Sequence, residues 1–334
     1  MVEGIGPIKL AKLIKGYGSI EEVCGLLSAP LGKAEEEIKM AEAQNIKILC
    51  LEDEEYPKLL KQIHDPPPII YLKGNLSENI KHSIAIVGTR VATHYGLETA
   101  KRFAGELSSL GVTVVSGLAL GIDSAAHEGS LEAGGNTIAV LGSGVDKIYP
   151  PSNSGLAAKI LDAGGALISE FPIGFPPDSW TFPQRNRIIS GLSLGVIVVE
   201  GNYDSGAMIT AKVALEQGRE VFAVPQNIGS EQGRGPHWLI KQGAKLVESI
   251  DDVLDELQHV LNIKRVMKSE VKRDYSNLKP EEQKIISYLS FEPKHIDMIS
   301  NESGFSISEV SSLLLMLEVK KSIRQLPGKM FLLS

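Results

Sequence analysis

The segment Phe182-Pro183-Gln184-Arg185-Asn186-Arg187-Ile188-Ile189-Ser190-Gly191 sets two arginines and an asparagine between a Pro-rich loop and the apolar run at 195–199. That transition predicts a helix start. Helix starts carry unpaired backbone N–H groups and a partial positive charge, which favour phosphate. Guanidinium groups at such a corner add a forked set of donors for anions. The chemistry on offer is recognition of a phosphorylated ligand. Arg185 and Arg187 lie two residues apart, so a helix sends them in different directions. We expect one to reach the ligand and the other to pair with Glu170 or Glu200.

Short apolar runs at 84–87, 112–116, 137–141, 166–169, 196–200 and 221–224 must position that segment. Each has the β-branched composition of a strand buried on both faces. Amphipathic patterns such as 95–110 and 207–217 lie between them, punctuated by Gly and Pro. The alternation predicts an α/β fold with a doubly wound, mostly parallel, Rossmann-like sheet. Ligands of such sheets bind beyond the carboxyl ends of the strands.

The residues following the strands are therefore the ones to read. They are Gly88-Thr89-Arg90, then Ser116-Gly117, then a loop with Lys147 and Tyr149, then Glu170 leading to Arg185-Asn186-Arg187, and finally Ser205-Gly206. A glycine after a strand is also what a turn into a helix requires by itself. The repeated pairing of small residues with a basic or hydroxyl group favours an anion site. Candidate ligand-binding residues are Gly88, Thr89, Arg90, Ser116, Gly117, Lys147, Tyr149, Arg185, Asn186, Arg187, Ser205 and Gly206. Replacing Arg90 or Arg185 with Ala should then weaken binding without unfolding the protein.

Catalysis has no comparable signature. The seven histidines are scattered; His127 follows Asp123 by one helical turn, so the two could meet on one face, which suggests a structural hydrogen bond. No metalloprotease, nucleophile-elbow or P-loop motif occurs, so no catalytic residue, metal or cofactor is expected. Gly142-Ser143-Gly144 is only a fragment of a dinucleotide fingerprint. Two cysteines, Cys24 and Cys50, rule out a disulfide framework. A formal charge of −7 confines any nucleic-acid contact to a local positive patch. No apolar run approaches the ~18 residues of a membrane span, and the start lacks a signal-peptide layout. A cytoplasmic protein is expected. Its 334 residues allow two or three domains. The expected division is a helical domain at 1–63, the Rossmann domain at 64–255, a charged linker at 256–277 and a small domain at 278–334.

Together these residues resemble the DprA/Smf family of bacterial DNA-processing proteins. The matching segments include Ile86-Val87-Gly88-Thr89-Arg90, Val115-Ser116-Gly117-Leu118-Ala119-Leu120-Gly121-Ile122-Asp123, Phe182 through Ile189, Val198-Val199-Glu200 and Gly218-Arg219-Glu220-Val221-Phe222-Ala223-Val224-Pro225. The resemblance implies an extended Rossmann domain that binds single-stranded DNA without sequence preference and forms a homodimer. It also implies a non-enzymatic role, protecting incoming DNA and helping to load RecA recombinase during natural transformation. Arg90, in the family's Gly-Ser/Thr-Arg motif, would hold DNA phosphate, and Lys147 falls where the family offers a basic residue. Tyr149 would stack on a base, or simply pack as an aromatic held by Pro150. Leu120 stands where the family has Arg, and Gln226 where it has Gly, while Arg234 is a candidate to compensate.

Two flanking zones carry their own resemblances. Gly4-Ile5-Gly6-Pro7 with the residues to Val23 is similar to a helix-hairpin-helix unit whose first helix is missing or shortened, and a packing role is expected. Residues 278–334 resemble a winged helix, with 308–319 as its presumed recognition helix and 323–332 as its wing. That helix contains neither Lys nor Arg, whereas groove-reading helices use basic or amide side chains. A protein-interaction or accessory role follows. The competing readings are a nucleoside monophosphate phosphoribohydrolase-like enzyme and a small-nucleotide sensor. Against the enzyme, Pro225-Gln226-Asn227-Ile228-Gly229-Ser230-Glu231 lacks that group's double glycine.

Overall fold

The computed structural model describes residues 31–76, 78–261, 278–290, 292–320 and 322–333. The chain divides into two compact units, Met1–Asn262 and Ile263–Ser334. The helix-hairpin-helix reading of residues 4–23 and most of the expected linker lie outside the described residues.

In the first unit, α1 (Leu31–Ala43) leads into β1 (Ile46–Cys50), α2 (Lys58–Lys61) and β2 (Ile69–Gly74). The parallel part follows as β3 (Ser83–Val87), α3 (His94–Ser109), β4 (Thr113–Ser116), α4 (Ile122–Glu132) and β5 (Thr137–Val140). It continues with α5 (Ser154–Asp162), β6 (Ala166–Ser169), α6 (Thr181–Gly191), β7 (Gly195–Val198), α7 (Gly206–Glu216) and β8 (Glu220–Ala223). Then come α8 (Arg234–Lys241), β9 (Lys245–Leu246) and α9 (Ile250–Leu261). The nine strands form one sheet in the order β1-β2-β6-β5-β4-β3-β7-β8-β9. Strands β3 to β9 pair in parallel, whereas β2 runs antiparallel to both β1 and β6.

Period-2 alternation sorts the strand residues onto two helical layers. Ala85, Val87, Val196 and Val198 pack with Ile188, Ile189 and Ala211 of α6 and α7. Ala139 and Leu167 face the other way, onto Ala157 and Ile160 of α5. All six predicted strands occur within a residue or two of their expected ends. The sheet, however, starts earlier than the expected division near residue 63, because β1 lies within the expected helical domain at 1–63. Likewise α9 runs to Leu261, past the expected start of the linker.

The order reverses at β3. The strands after it step to one side through β4, β5 and β6, and then β7 returns to its other side. That reversal leaves a crevice beyond the carboxyl ends of β3 and β7, where ligands of open α/β sheets sit.

The second unit contains α10 (Pro280–Ser287), β10 (Lys294–His295), α11 (Ile296–Ser303), α12 (Ile307–Val319), β11 (Ile323–Leu326) and β12 (Met330–Leu333). Its three strands order as β10-β12-β11, a small antiparallel sheet with the β11–β12 hairpin as the wing. Ser306 caps α12 reciprocally. Its Oγ accepts from Glu309 N at 3.4 Å, and Glu309 Oε2 accepts from Ser306 N at 2.8 Å. Ile285, Ile299, Val310, Leu314 and Leu317 form a buried core, each such side chain contributing about 1.5–3 kcal/mol.

Candidate nucleic-acid interface

A cavity of about 690 Å³ opens at the switch point. It is bounded by the loops after β3, β4, β5, β6 and β7, the edge that strand-helix alternation implies. Eight of the expected site residues line it: Gly88, Thr89, Arg90, Tyr149, Arg185, Asn186, Ser205 and Gly206. Four do not. Ser116, Gly117, Lys147 and Arg187 lie outside its wall, although Gly117 borders an adjoining recess of about 70 Å³.

Arg90 is exposed and, among the described residues, has no ion-pair partner. Its guanidinium instead lies over the ring of Phe182, 5.4 Å from the centroid. Phe182 in turn faces Tyr149, with ring centroids 5.6 Å apart. A cation and two aromatic faces thus meet at one mouth. Phe182 was part of the expected motif but not an expected ligand contact. Its aromatic character at the start of α6 was the available signal.

The helix that follows brings its arginines inward. Arg185 is 5% exposed, and its Nη1 donates to the carbonyls of Gly117 (2.7 Å) and Val140. Its Nε donates to Asn186 Oδ1 at 3.2 Å. It therefore ties the ends of β4 and β5 to α6, and only its edge reaches the cavity. Burial lowers its pKa to about 10, with Asp123 opposing that shift, so it stays charged at neutral pH. Arg187 bonds Glu170 and lies 3.3 Å from Asp65, away from the cavity. One arginine at the ligand and one paired with Glu170 was the expectation. The pairing is present, and the other arginine is a buried strut as much as a ligand contact.

The glycines have internal tasks too. A Cβ at Gly117 would stand 2.5 Å from Arg185 Nη1, so that glycine makes room for the strut. A Cβ at Gly88 would stand 2.7 Å from Ile122 Cβ, where α4 packs against the loop. Ser116 is buried and donates to Ile86 O at 2.7 Å, joining β4 to β3. These three residues build the rim from beneath. Lys147 is exposed, but its loop buries Val145 against Tyr71 and Ala41 on the β2 side. The side chain therefore does not line the cavity.

Asp123 and His127 do not meet as expected. The Asp123 carboxylate accepts from Gly117 N (3.1 Å) and Ala119 N (3.4 Å), shaping the β4–α4 turn. Burial raises its pKa, and Arg185 counters. His127 Nδ1 is instead 2.7 Å from Thr137 Oγ1. That hydroxyl gives its proton to Val114 O, so Nδ1 is the donor and Nε2 is left buried without a partner. Burial pulls the imidazole pKa down to about 3.

On the far wall, Asn186 Nδ2 donates to Gly206 O at 3.2 Å, linking α6 to the start of α7. Ser205 caps α7 without using its hydroxyl on the helix, and Gly206 is exposed. That helix start presents backbone N–H groups on the cavity side. Leu120, 46% exposed, borders the smaller recess. Gln226 donates to Val199 O at 3.0 Å, and Arg234, at the start of α8, does not line the cavity. Among the described residues no cluster of His, Cys, Asp and Glu could hold a metal, and no helix is long and apolar enough to cross a membrane.

Comparison with known proteins gives the same picture. Residues 47–258 match the family of DNA recombination-mediator protein A, and residues 271–329 match the DprA winged helix domain. Protein Smf of Escherichia coli is 40% identical over 307 residues, covering 90% of this chain and 81% of its own. DNA processing protein DprA of Bacillus subtilis is 46% identical over 215 residues, covering 64% and 72%. The crystal structure of DprA from Streptococcus pneumoniae superposes with a TM-score of 0.59 at 41% identity, over 64% of this chain and 75% of that one. DprA from Helicobacter pylori, described for its single-stranded DNA binding mode, superposes with a TM-score of 0.57 at 30% identity, over 64% and 96%. With its sheet, its winged helix and both family matches in register, the chain belongs to the DprA/Smf family of DNA-processing proteins.

Proposed function

We propose that this protein binds single-stranded DNA by its sugar-phosphate chain at the switch-point cavity, without reading sequence. Arg90 carries the proposal. It is an exposed cation without an acidic partner among the described residues, held over an aromatic face at the mouth of the switch-point cavity. In this reading Arg90 holds a phosphate, the start of α7 at Ser205 and Gly206 receives a second, and bases stack on Tyr149 and Phe182. Stacking is sequence-tolerant and contributes about 1–3 kcal/mol per base. Arg185 adds positive potential from below, while Arg187 acts through folding.

Family membership and the single-stranded DNA binding of the Helicobacter pylori relative support this reading. The family resemblance extends this to a wider proposal, in which the protein acts in the cytoplasm as a homodimer. There it would protect incoming DNA and help to load RecA during natural transformation, without turnover. The winged helix fits an accessory, protein-contacting role. Its α12 has no basic residue and exposes Leu315, Met316 and Val319.

Competition binding tests the core of the proposal. Oligo-dT and a mixed-sequence strand of equal length should compete within a few-fold, and duplex DNA and AMP should compete poorly. AMP outcompeting the oligomers, or free adenine appearing during incubation, would replace this reading with a nucleotide enzyme or sensor.

A further inference from the structure

In doubly wound sheets the helix after the first parallel strand aims its N-terminus at the switch point, and nucleotide pyrophosphates rest against it. Here that strand is β3 and that helix is α3, beside β7. The corner is already filled from inside. Glu200, two residues past β7, is 0% exposed. Its carboxylate accepts from Thr93 N at 2.9 Å and from Thr93 Oγ1 at 2.5 Å. Thr93 is the cap of α3, its Oγ1 accepting from Gly96 N at 3.1 Å. A Cβ on Gly96 would overlap the Glu200 carboxylate. In a nucleotide fold, a glycine at this turn lets a phosphate come close. In this chain it lets the protein's own carboxylate come close.

We propose that Glu200 is a built-in anion that excludes pyrophosphate-bearing ligands, such as nucleoside diphosphates and dinucleotides, from the α3 corner. Phosphates are then admitted only singly, farther out, along a strand that crosses the Arg90 mouth. This assignment of specificity rests on the DNA-binding reading of the cavity. A second anion at α3 would have to share the cap with a buried carboxylate, and like charges in so dry a place repel strongly. Glu200 holds the Thr93 cap, and Thr93 Oγ1 takes the Gly96 N–H, so an incoming anion at the start of α3 would have to displace the carboxylate from these bonds.

The test measures binding of ADP, NAD and inorganic pyrophosphate to the full chain by calorimetry. Wild type is compared with Glu200→Ser, which empties the corner, and Glu200→Gln, which removes the charge but keeps the shape. Wild type should show no saturable binding of the three ligands. Glu200→Ser should bind ADP and pyrophosphate saturably, at least about tenfold more tightly than the weakest wild-type affinity the measurement can resolve, and adding Gly96→Ala should refill the corner and cancel the gain. Saturable ADP binding by wild type that Gly96→Ala abolishes would overturn the proposal. So would a folded Glu200→Ser that gains nothing. If Glu200→Ser does not fold, Glu200→Gln decides, with a several-fold gain expected and no gain overturning it. Oligo-dT binding on the same samples separates the two claims. A wild type that ignores oligo-dT fails the DNA reading, while the pyrophosphate result still judges Glu200.

Discussion

The guanidinium of Arg90 lies 5.4 Å from the centre of the Phe182 ring, and that ring also faces Tyr149. Arg90 comes from the loop after β3 and Phe182 from the first turn of α6. Their contact therefore spans the mouth of the cavity. A flat aromatic face beneath a cation suits a polymer that alternates charge and ring. The ring orients the guanidinium without neutralising it, as a carboxylate would.

Phe182→Leu keeps an apolar side chain but removes the face. It should weaken oligo-dT binding by about 1–2 kcal/mol, the loss of one stacked base, while leaving the melting temperature nearly unchanged. Fluorescence anisotropy beside a thermal melt checks both. Equal affinity in the two proteins would remove Phe182 from the contact surface.

Arg187→Ala is expected to act on stability instead. Glu170 has only 4% of its side chain exposed and depends on Arg187. Burial raises the Glu170 pKa and Arg187 pulls it back. Removing the guanidinium leaves a buried carboxylate without its counter-charge, a loss of about 3–5 kcal/mol. Urea titration should show a markedly lower midpoint at neutral pH. A variant as stable as wild type but deficient in DNA binding would return Arg187 to the ligand.

His127 predicts an acid-sensitive core. Its folded pKa of about 3 lies below the ordinary 6.5, so below pH 6.5 the unfolded chain takes up a proton that the folded one refuses. Stability is then lost as pH falls from 6.5 towards 3, by about 1.4 kcal/mol per pH unit. His127→Gln can still donate to Thr137 and does not titrate. The stability difference between wild type and variant should move against wild type by about 2–3 kcal/mol between pH 6.5 and 4.5. A difference independent of pH would contradict the placement of this imidazole.

The parallel sheet was legible in the sequence because its strands are covered on both faces and read as continuous β-branched runs. Strands β1 and β2 were not. Lys47 is exposed at the second position of β1, and β2 follows directly on Pro66-Pro67-Pro68, so neither has the signature of a doubly covered strand. At the site, the post-strand loops were correctly placed on one edge, since topology alone puts them there. The arginines of α6 were harder to read. What separates Arg185 from a free ligand contact is a pair of carbonyls, at Gly117 and Val140, 68 and 45 residues away. Local spacing carries no trace of such partners. Accordingly Arg185→Ala, expected from sequence to spare the fold, leaves two buried carbonyls without a donor and should lower stability as well as affinity.

The most direct measurement is the salt dependence of oligo-dT binding by wild type and Arg90→Ala. Each phosphate neutralised on a single strand contributes about 0.7 to the slope of log affinity against log salt. Arg90→Ala should bind more weakly and with a slope shallower by about that amount, while melting within about 0.5 kcal/mol of wild type. Equal affinity and equal slope in the two proteins would contradict the claim that DNA is held by its phosphates at the Arg90 mouth.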